Sequence, residues 1–309
     1  MKVTVVIPTY NVENYIVQCL KSVLNQSLTD FEIIVIDDVS SDRTVELIKT
    51  LAEKDPRIKL LINKKNSGPA HSRNRGIKEA AGDYVAFLDS DDWWDHDRLN
   101  EMVGIAEKFD AEMVCDDQML IDDNKTVPWG TVFTNGGLII AEPTKFSAAD
   151  FINNNMGLKP LLKTNFLHRN NILFNEDLRY GEDYLLFLDC LLHRADAYLL
   201  PVAYYYYRAR EGSLVTNNMK LLEQTLQTTE KLLRDPFYVN DTSVKEALKK
   251  RKKDIKEAIK YYKFMQPIKD GKTTEGIGQL IKSPATLLIF ARRLPKIFKN
   301  RVYRKMKNR

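Results

Sequence analysis

Cysteine is scarce, with three in 309 residues, at Cys19, Cys115 and Cys190. They are odd in number, far apart and never in C-x-x-C spacing, which points to a reducing compartment and no zinc site. Long apolar runs are absent too. No stretch approaches the roughly 18 apolar residues of a membrane span, and Met1-Lys2 leads straight into a short strand pattern rather than the apolar core of a secretory leader. The expected location is the cytoplasm. Nor do glycines fall where nucleotide loops need them. The first strand pattern runs into Pro8-Thr9-Tyr10-Asn11 instead of G-x-G-x-x-G, and no strand pattern leads into the only G-x-G, Gly276 to Gly278. Gly271-Lys272-Thr273 ends like a phosphate loop, but Gln266 stands where that loop has its first glycine. Both nucleotide-loop readings fail.

At 44% hydrophobic, the chain can bury one large core and carry an appendage. Its net charge of +5 hides an asymmetry: 24 basic and 9 acidic residues from Lys220 onward, against 23 and 33 before it. After Glu275 there are ten Lys or Arg and no acid. No aromatic-interleaved RNA motif accompanies these lysines, and the acidic main part would repel a polyanion, so no nucleic-acid partner is expected. The segment 282–309 places Leu287, Phe290, Ala291, Leu294, Phe298 and Val302 near one helical face with basic residues elsewhere, and Pro295 kinks or splits it. Such a basic amphipathic segment reads as interfacial, attracted to an anionic membrane surface. The competing reading is a helix packed on its own domain or on a second subunit of a homo-oligomer.

Along the first half, strand and helix patterns alternate. Strands are predicted over Val3–Ile7, Phe31–Ile36, Ile58–Ile62 and Tyr84–Leu88, and a short one over Met113–Cys115. Between them, apolar residues recur at helical spacing over 16–24, 45–51, 70–81 and 99–106, with Gly82 ending the third helix. This alternation implies a mainly parallel α/β sheet. After about Asp116 the alternation fails. The segment 122–137 reads as a mobile loop or hairpin and 146–174 as mixed; a helix is expected over 183–192 and a strand over 198–207. Beyond Asn217 the pattern is helical, with Val244, Leu248, Ile255 and Ile259 on one face.

The strand ending in Phe87-Leu88 runs straight into Asp89, Ser90, Asp91 and Asp92. Strand interiors exclude acids, so this cluster falls at the C-terminal edge of the sheet, where open α/β sheets bind ligands. Hard carboxylate oxygens there suit Mg2+ or Mn2+ bridging to substrate phosphates. The competing reading is a polar turn capping the next helix. Asp37 and Asp38 end the second strand at the same edge. Ser40, Ser41 and Asp42 are better placed to cap the helix that follows, which leaves the two acids without an evident structural task. Pro8 to Asn11 ends the first strand, where Tyr10 can lay its ring on a flat base and Asn11 can orient the loop; an ordinary Pro turn is the alternative. Arg73 can support a diphosphate or the carboxylates, while Arg75 reads as a solvated surface residue and His71 as solvent or packing.

The ordered segments VVIPTYN, EIIVIDDVSSD, NSGPAHSRNRGI and YVAFLDSDDWW resemble family 2 glycosyltransferases with the GT-A fold, over roughly Met1 to Ser213. The resemblance implies a Rossmann-like nucleotide-sugar-binding half (1–116), an acceptor half (117–217) and a basic helical C-terminal extension (218–309). It implies donor contacts from Pro8, Thr9, Tyr10, Asn11, Asp38, Arg73, Asp89 and Ser90, and a DxD motif in which Asp91, with Asp89, serves a Mn2+ or Mg2+ ion. Arg179-Tyr180-Gly181-Glu182-Asp183 matches the family's acidic pair, which makes Asp183, or Glu182, the expected catalytic base; on structural grounds alone they read as acids at a helix start. Arg208, in Tyr204-Tyr205-Tyr206-Tyr207-Arg208, can close over the diphosphate, and Ser213 completes that segment. The tyrosines read as alternating core and surface positions of a strand, and at least one of Trp93 and Trp94 as packing. Val39 departs from the small residue usual after the paired acids, and Ser72 from the alanine usual before Arg73. No Q-x-x-R-W motif is present, which argues for single-sugar transfer over processive synthesis. The implied reaction moves a sugar with inversion from a nucleotide-sugar donor, UDP-linked by expectation, to a saccharide or lipid-linked acceptor. The alternative is a catalytically silent nucleotide-sugar-binding protein.

Overall fold

The computed structural model describes residues 1–178, 180–209, 218–269 and 271. Arg179, Ser213 and the tail 282–309 lie outside the described residues, so the readings placed on them rest on sequence alone.

The first strands form where apolar runs are long enough to be covered on both faces. β1 (Val3–Thr9), β2 (Phe31–Asp37), β3 (Ile58–Ile62) and β4 (Tyr84–Phe87) pair in parallel in the order β3-β2-β1-β4. The crossovers between them are α1 (Ile16–Leu24), α2 (Thr44–Ala52) and α3 (Pro69–Glu79). A short β5 (Trp93–Trp94) and α4 (Arg98–Phe109) follow. Ile16, Cys19, Leu20 and Val23 of α1 join Leu99, Met102, Val103 and Ala106 of α4 in the core, against Val3, Val5, Ile7, Ile33 and Val35 of the sheet.

The later strands complete the same sheet. β6 spans Met113–Asp122, well past the three residues predicted, because the acids that break its apolar pattern are paired internally. Asp116 meets Arg98, and Asp117 accepts from the Phe133 amide at 2.9 Å. The 122–137 segment is a hairpin arm: β7 (Gly130–Thr131) lies antiparallel on β6 and leads into α5 (Val132–Gly136). Then come β8 (Thr144–Lys145), α6 (Ala148–Asn154), β9 (Leu161–Lys163), α7 (Thr164–Arg169), α8 (Glu182–Leu192) and β10 (Ala197–Ala209). β9 inserts antiparallel between β4 and β6, and β10 runs parallel to β6, giving the path β3-β2-β1-β4-β9-β6-β10-β5. Strand order reverses at β1, so the crevice beyond its C-terminal end is the place for a ligand.

Two compact units result. One comprises Met1–Ala148 and Met156–Ala209; the other takes Ala149–Asn155 and the chain from Arg210 onward. In the second, α9 (Asn218–Leu232), α10 (Pro236–Val239) and α11 (Thr242–Lys269) bury Leu232, Val244, Ala247, Leu248, Ile255 and Ala258. No described helix is long and apolar enough to cross a membrane.

Two glycines are fixed by close approach. α3 stops at Glu79, before Gly82, whose role is different: a Cβ there would lie 2.6 Å from the Thr4 amide nitrogen. A Cβ at Gly76 would lie 2.3 Å from Val6 Cγ1, so α3 rests directly on β1. Gly76→Ala should therefore destabilise the fold by about 1–3 kcal/mol, since overpacking forces backbone or side-chain shifts. Urea unfolding should show a lower midpoint at unchanged slope; an unchanged midpoint would mean that α3 yields without penalty.

Candidate active site

The loops after β1 and β2 are laced together by their own polar side chains. Thr9 Oγ1 donates to Asp37 Oδ1 at 3.3 Å, and Asp37 also accepts from the Ser40 amide at 2.9 Å. Asn11 sits in the left-handed region (φ 49°), which asparagine tolerates, and its side-chain oxygen accepts from the Ser41 amide at 2.8 Å. Asp38 is buried and accepts from Asn63 Nδ2 at 2.8 Å, from the Ser67 amide at 2.9 Å and from the Gly68 amide at 2.7 Å. Both acids thus have a structural task, contrary to the sequence reading: Asp37 shapes its own turn, and Asp38 holds the loop before α3. Arg75 is half-buried and hydrogen-bonded as well. It donates to the Ile62 carbonyl at 2.9 Å and to Asn63 Oδ1 at 3.0 Å, backing that same loop.

Above these anchored turns the Tyr10 ring is 51% exposed, an open aromatic face at the edge of the crevice. Beside the paired acids, Val39 adopts φ 66° and is 44% exposed. A β-branched residue in that region is strained. Asp37 imposes the conformation by gripping both the amide and the hydroxyl of Ser40.

The acid cluster after β4 is sorted by its partners. Asp89 Oδ1 accepts from Arg73 Nη2 at 2.7 Å, and Asp89 Oδ2 from the largely buried Lys159 Nζ. Burial alone would raise the Asp89 carboxyl, but Lys159 and Arg73 outweigh it and hold the group well below the usual carboxylate range. Asp92 is buried between the Tyr205 hydroxyl at 2.8 Å and the Arg208 amide at 2.8 Å. Burial, reinforced by the charges of Asp91 and Asp89, pushes its carboxyl well up. Ser90 is buried in the turn, and Asp91 is half-buried at its tip. Arg208 is pinned: Nε donates to the Asp91 carbonyl at 2.8 Å and Nη2 to Gln18 Oε1 at 2.6 Å, while the guanidinium lies 4.6 Å from the Trp93 ring. Tyr205 and Trp94 are core residues, whereas Tyr206 stacks on Trp93 at 5.1 Å.

Arg73 also reaches α8. Its Nη1 donates to Glu182 Oε1 at 3.0 Å, at the first turn of α8. Pro8 and Thr9, Asp38, Asp89 to Asp91, Arg73 and the Glu182-Asp183 pair thus belong to one edge of the sheet. Glu182 is buried, and burial plus the charge of Asp183 overcomes Arg73 and pushes its carboxyl up to about 8. Near neutral pH Glu182 therefore keeps its proton.

The sequence reading missed Lys159. It follows β-poor, aperiodic sequence and carries no local mark; its place is set from below. Arg98 and Asp116, both fully buried, pair through two bonds of 3.0 and 2.8 Å, and Arg98 Nη2 also donates to the Lys159 carbonyl. Arg98 lies 4.4 Å from the Trp94 ring, and Asp116 accepts from the Tyr204 amide at 3.2 Å. Long-range partners of this kind leave no trace in spacing.

Mg2+ and Mn2+ commonly take one or two carboxylates and complete their shell with phosphate and water. Among the described residues no group of three His, Cys, Asp or Glu could cage an ion. The half-buried Asp91 at the tip of the turn, with Asp89 beside it, is the carboxylate set such an ion would meet.

A family model described as "Glycosyl transferase family 2" matches residues 4–162. The chain belongs to that family. Over 297 residues it is 29% identical to the succinoglycan biosynthesis protein ExoO of Rhizobium meliloti, covering 92% of this chain and 82% of ExoO. Staphylococcus aureus TarS residues 1–349, solved with UDP-GlcNAc, superposes with a TM-score of 0.63 at 21% identity, over 89% of each chain. The mannosyltransferase PcManGT from Pyrobaculum calidifontis, solved with GDP-Man and Mn2+, gives 0.65 at 18% identity, over 99% of this chain and 84% of that one. The GT-A fold and the glycosyltransferase family expected from the sequence both hold. Within this glycosyltransferase, the Arg73 bridge is what joins the DxD turn to the acidic pair.

The raised Glu182 carboxyl has a sign that can be measured. The folded enzyme binds this proton more tightly than the unfolded chain, whose glutamates titrate near 4.5. Folding stability from this group is full below that value and is lost as pH rises towards about 8. Melting temperature should therefore fall between about pH 5 and 8, and Glu182→Gln should make that fall shallower. Parallel pH profiles for the two proteins would refute the assignment.

Proposed function

We propose that the chain is an inverting glycosyltransferase that moves one sugar from a nucleotide-sugar donor to a hydroxyl of a saccharide or lipid-linked saccharide. The observation that carries the reading is the continuous run Lys159–Asp89–Arg73–Glu182, which holds the donor-side turn and the acceptor-side acids in one fixed relation. Residues 1–217 are assigned the chemistry and 218–309 the role of a basic appendage.

In this reading Tyr10 stacks on the nucleobase, while Pro8, Thr9 and Asn11 shape the loop that carries it. Asp38 acts through the Ser67-Gly68 loop that it holds. Uridine is the base we assign; the TarS structure with UDP-GlcNAc supports it, and PcManGT with GDP-Man names the rival. Asp91 would hold Mn2+ or Mg2+, which when bound supplies Lewis-acid neutralisation of the departing diphosphate. Asp89, fixed by Arg73 and Lys159, offers oriented hydrogen bonding to the donor sugar or ribose, with Ser90 supporting the turn. Arg208 backs the diphosphate side through its grip on the Asp91 carbonyl. Asp183 takes the acceptor proton as the hydroxyl attacks the face of the anomeric carbon opposite the leaving group. Glu182 keeps its proton and its contact with Arg73. A single base and in-line attack give inversion. The names of ExoO and TarS support an acceptor in cell-surface polysaccharide assembly. That setting would put the enzyme in the cytoplasm, peripheral on the inner face of the membrane, with 282–309 as one contact and a homo-oligomer as the competing use of that segment.

A donor screen read as nucleoside diphosphate release tests the whole. EDTA should abolish release and Mn2+ or Mg2+ restore it. Asp91→Ala should lose divalent-dependent nucleotide binding in calorimetry, with UDP binding more tightly than GDP in the wild type. Full activity in EDTA would remove the metal, and tighter GDP binding would reassign the base.

Asp183→Asn should lower kcat by about 100-fold or more while leaving donor affinity within about twofold, because a base acts only as the bond forms. Wild-type turnover in Asp183→Asn with a dead Glu182→Gln would exchange the two roles.

A further inference from the structure

Six of the nine lysines of α11 lie on one line; Lys250, Lys252 and Lys269 fall outside it. At about 100° per residue, Lys245, Lys249, Lys253, Lys256, Lys260 and Lys263 fall within an arc of about 80°, along about 27 Å of helix. All six are exposed. The helix's three acids, Glu246, Asp254 and Glu257, fall outside that arc. Its apolar residues Val244, Ala247, Leu248, Ile255 and Ala258 occupy the far side and are buried.

This segregation works against the helix. Lys245 with Lys249, Lys249 with Lys253, and Lys256 with Lys260 are like charges at i,i+4, each of which destabilises a helix. Relief is partial. Glu246 meets Lys249 at 2.7 Å, and Glu230 of α9 lies 2.9 Å from Lys252 and 3.8 Å from Lys256. Lys245, Lys253, Lys260 and Lys263 have no ion-pair partner among the described residues. A helix needing only solubility would mix the two signs and gain from the mixture. No aromatic residue falls inside the arc to stack on a base, so a single-stranded nucleic acid is poorly matched. A straight row of ammonium groups suits a flat anionic surface.

We propose that the lysine face of α11 is a docking surface for an anionic lipid bilayer. It is separate from the segment 282–309, although the basic sequence that continues beyond Glu275 adds charge of the same sign. The contact rests on α11 itself; only the idea that it brings the enzyme to a lipid-linked acceptor rests on the proposed function. Lysine ammoniums held near such a surface attract its phosphates within a Debye length, so binding weakens steeply with salt.

The test is flotation of the full chain with phosphatidylcholine vesicles with and without about 30% phosphatidylglycerol, at about 0.1 M salt. The variant Lys245→Ala/Lys253→Ala/Lys260→Ala/Lys263→Ala removes the four unpaired lysines. The control Lys21→Ala/Lys49→Ala/Lys54→Ala/Lys108→Ala removes the same charge from exposed positions elsewhere. The expected result is binding only to the anionic vesicles, reduced about tenfold or more in the α11 variant and by less than about twofold in the control. The α11 variant should melt no lower than wild type, because it relieves repulsion. Wild-type flotation by the α11 variant, equal loss in the control, equal binding to neutral vesicles, or retention on RNA but not on vesicles would each overturn the proposal. Calorimetry of nucleoside diphosphate binding keeps the two readings apart: a wild type that floats but binds no nucleotide sinks the donor reading and leaves the docking surface intact.

Discussion

A guanidinium taken out of water must be met by anions, or the fold loses more than the contact is worth. Arg73 is met by the Asp89 carboxylate at the end of β4, and it also donates to a Glu182 oxygen at the start of α8. The two acids are far apart in the chain. Because one planar group holds both, the distance between the donor turn and the acidic pair is set by a rigid fork and not by loop lengths. Glu182, drawn into this buried position beside Asp183, keeps a proton that an exposed glutamate would lose. Arg73 pulls the other way, so it is burial and the neighbouring Asp183 that keep the proton on Glu182.

A second buried pair lies beneath the first. Arg98 and Asp116 contribute little net stability if the cost of stripping both of water is counted. What they do is dictate position: Arg98 ties α4 to β6, lies against Trp94 and fixes the carbonyl of Lys159, whose ammonium then meets Asp89. The acid cluster is thus flanked by cations whose own placement is decided one layer deeper in the core.

What could be read in the sequence follows from this layering. β1 to β4 and their helices were legible because apolar periodicity records local burial. The DxD turn was legible because three acids directly after an apolar strand can only stand where the strand leaves the core. Asp37 and Asp38 were misread: their partners, Ser40 nearby and the Asn63–Gly68 loop a crossover away, cannot be inferred from the pair itself. β6 was cut short at Cys115 because Asp116 looks like a strand terminator until Arg98 is seen beside it. Lys159 was invisible for the same reason. Spacing reports what a residue does to its own element, and these residues act between elements.

The antiparallel insertion of β9 has a consequence for how the enzyme is built. Residues 161–163 return to lie against β4, closing an edge that the first hundred or so residues would otherwise leave open. The family match ends at residue 162, within that strand. A segment severed before it would present a bare strand edge beside the apolar β4, which is a template for self-association. The ribosome delivers β4 long before β9, so the nascent chain passes through a stage in which its most completed sheet is also its most adhesive one. The enzyme's modularity is chemical and not architectural: two roles can be told apart at the site, but the sheet beneath them is a single woven piece.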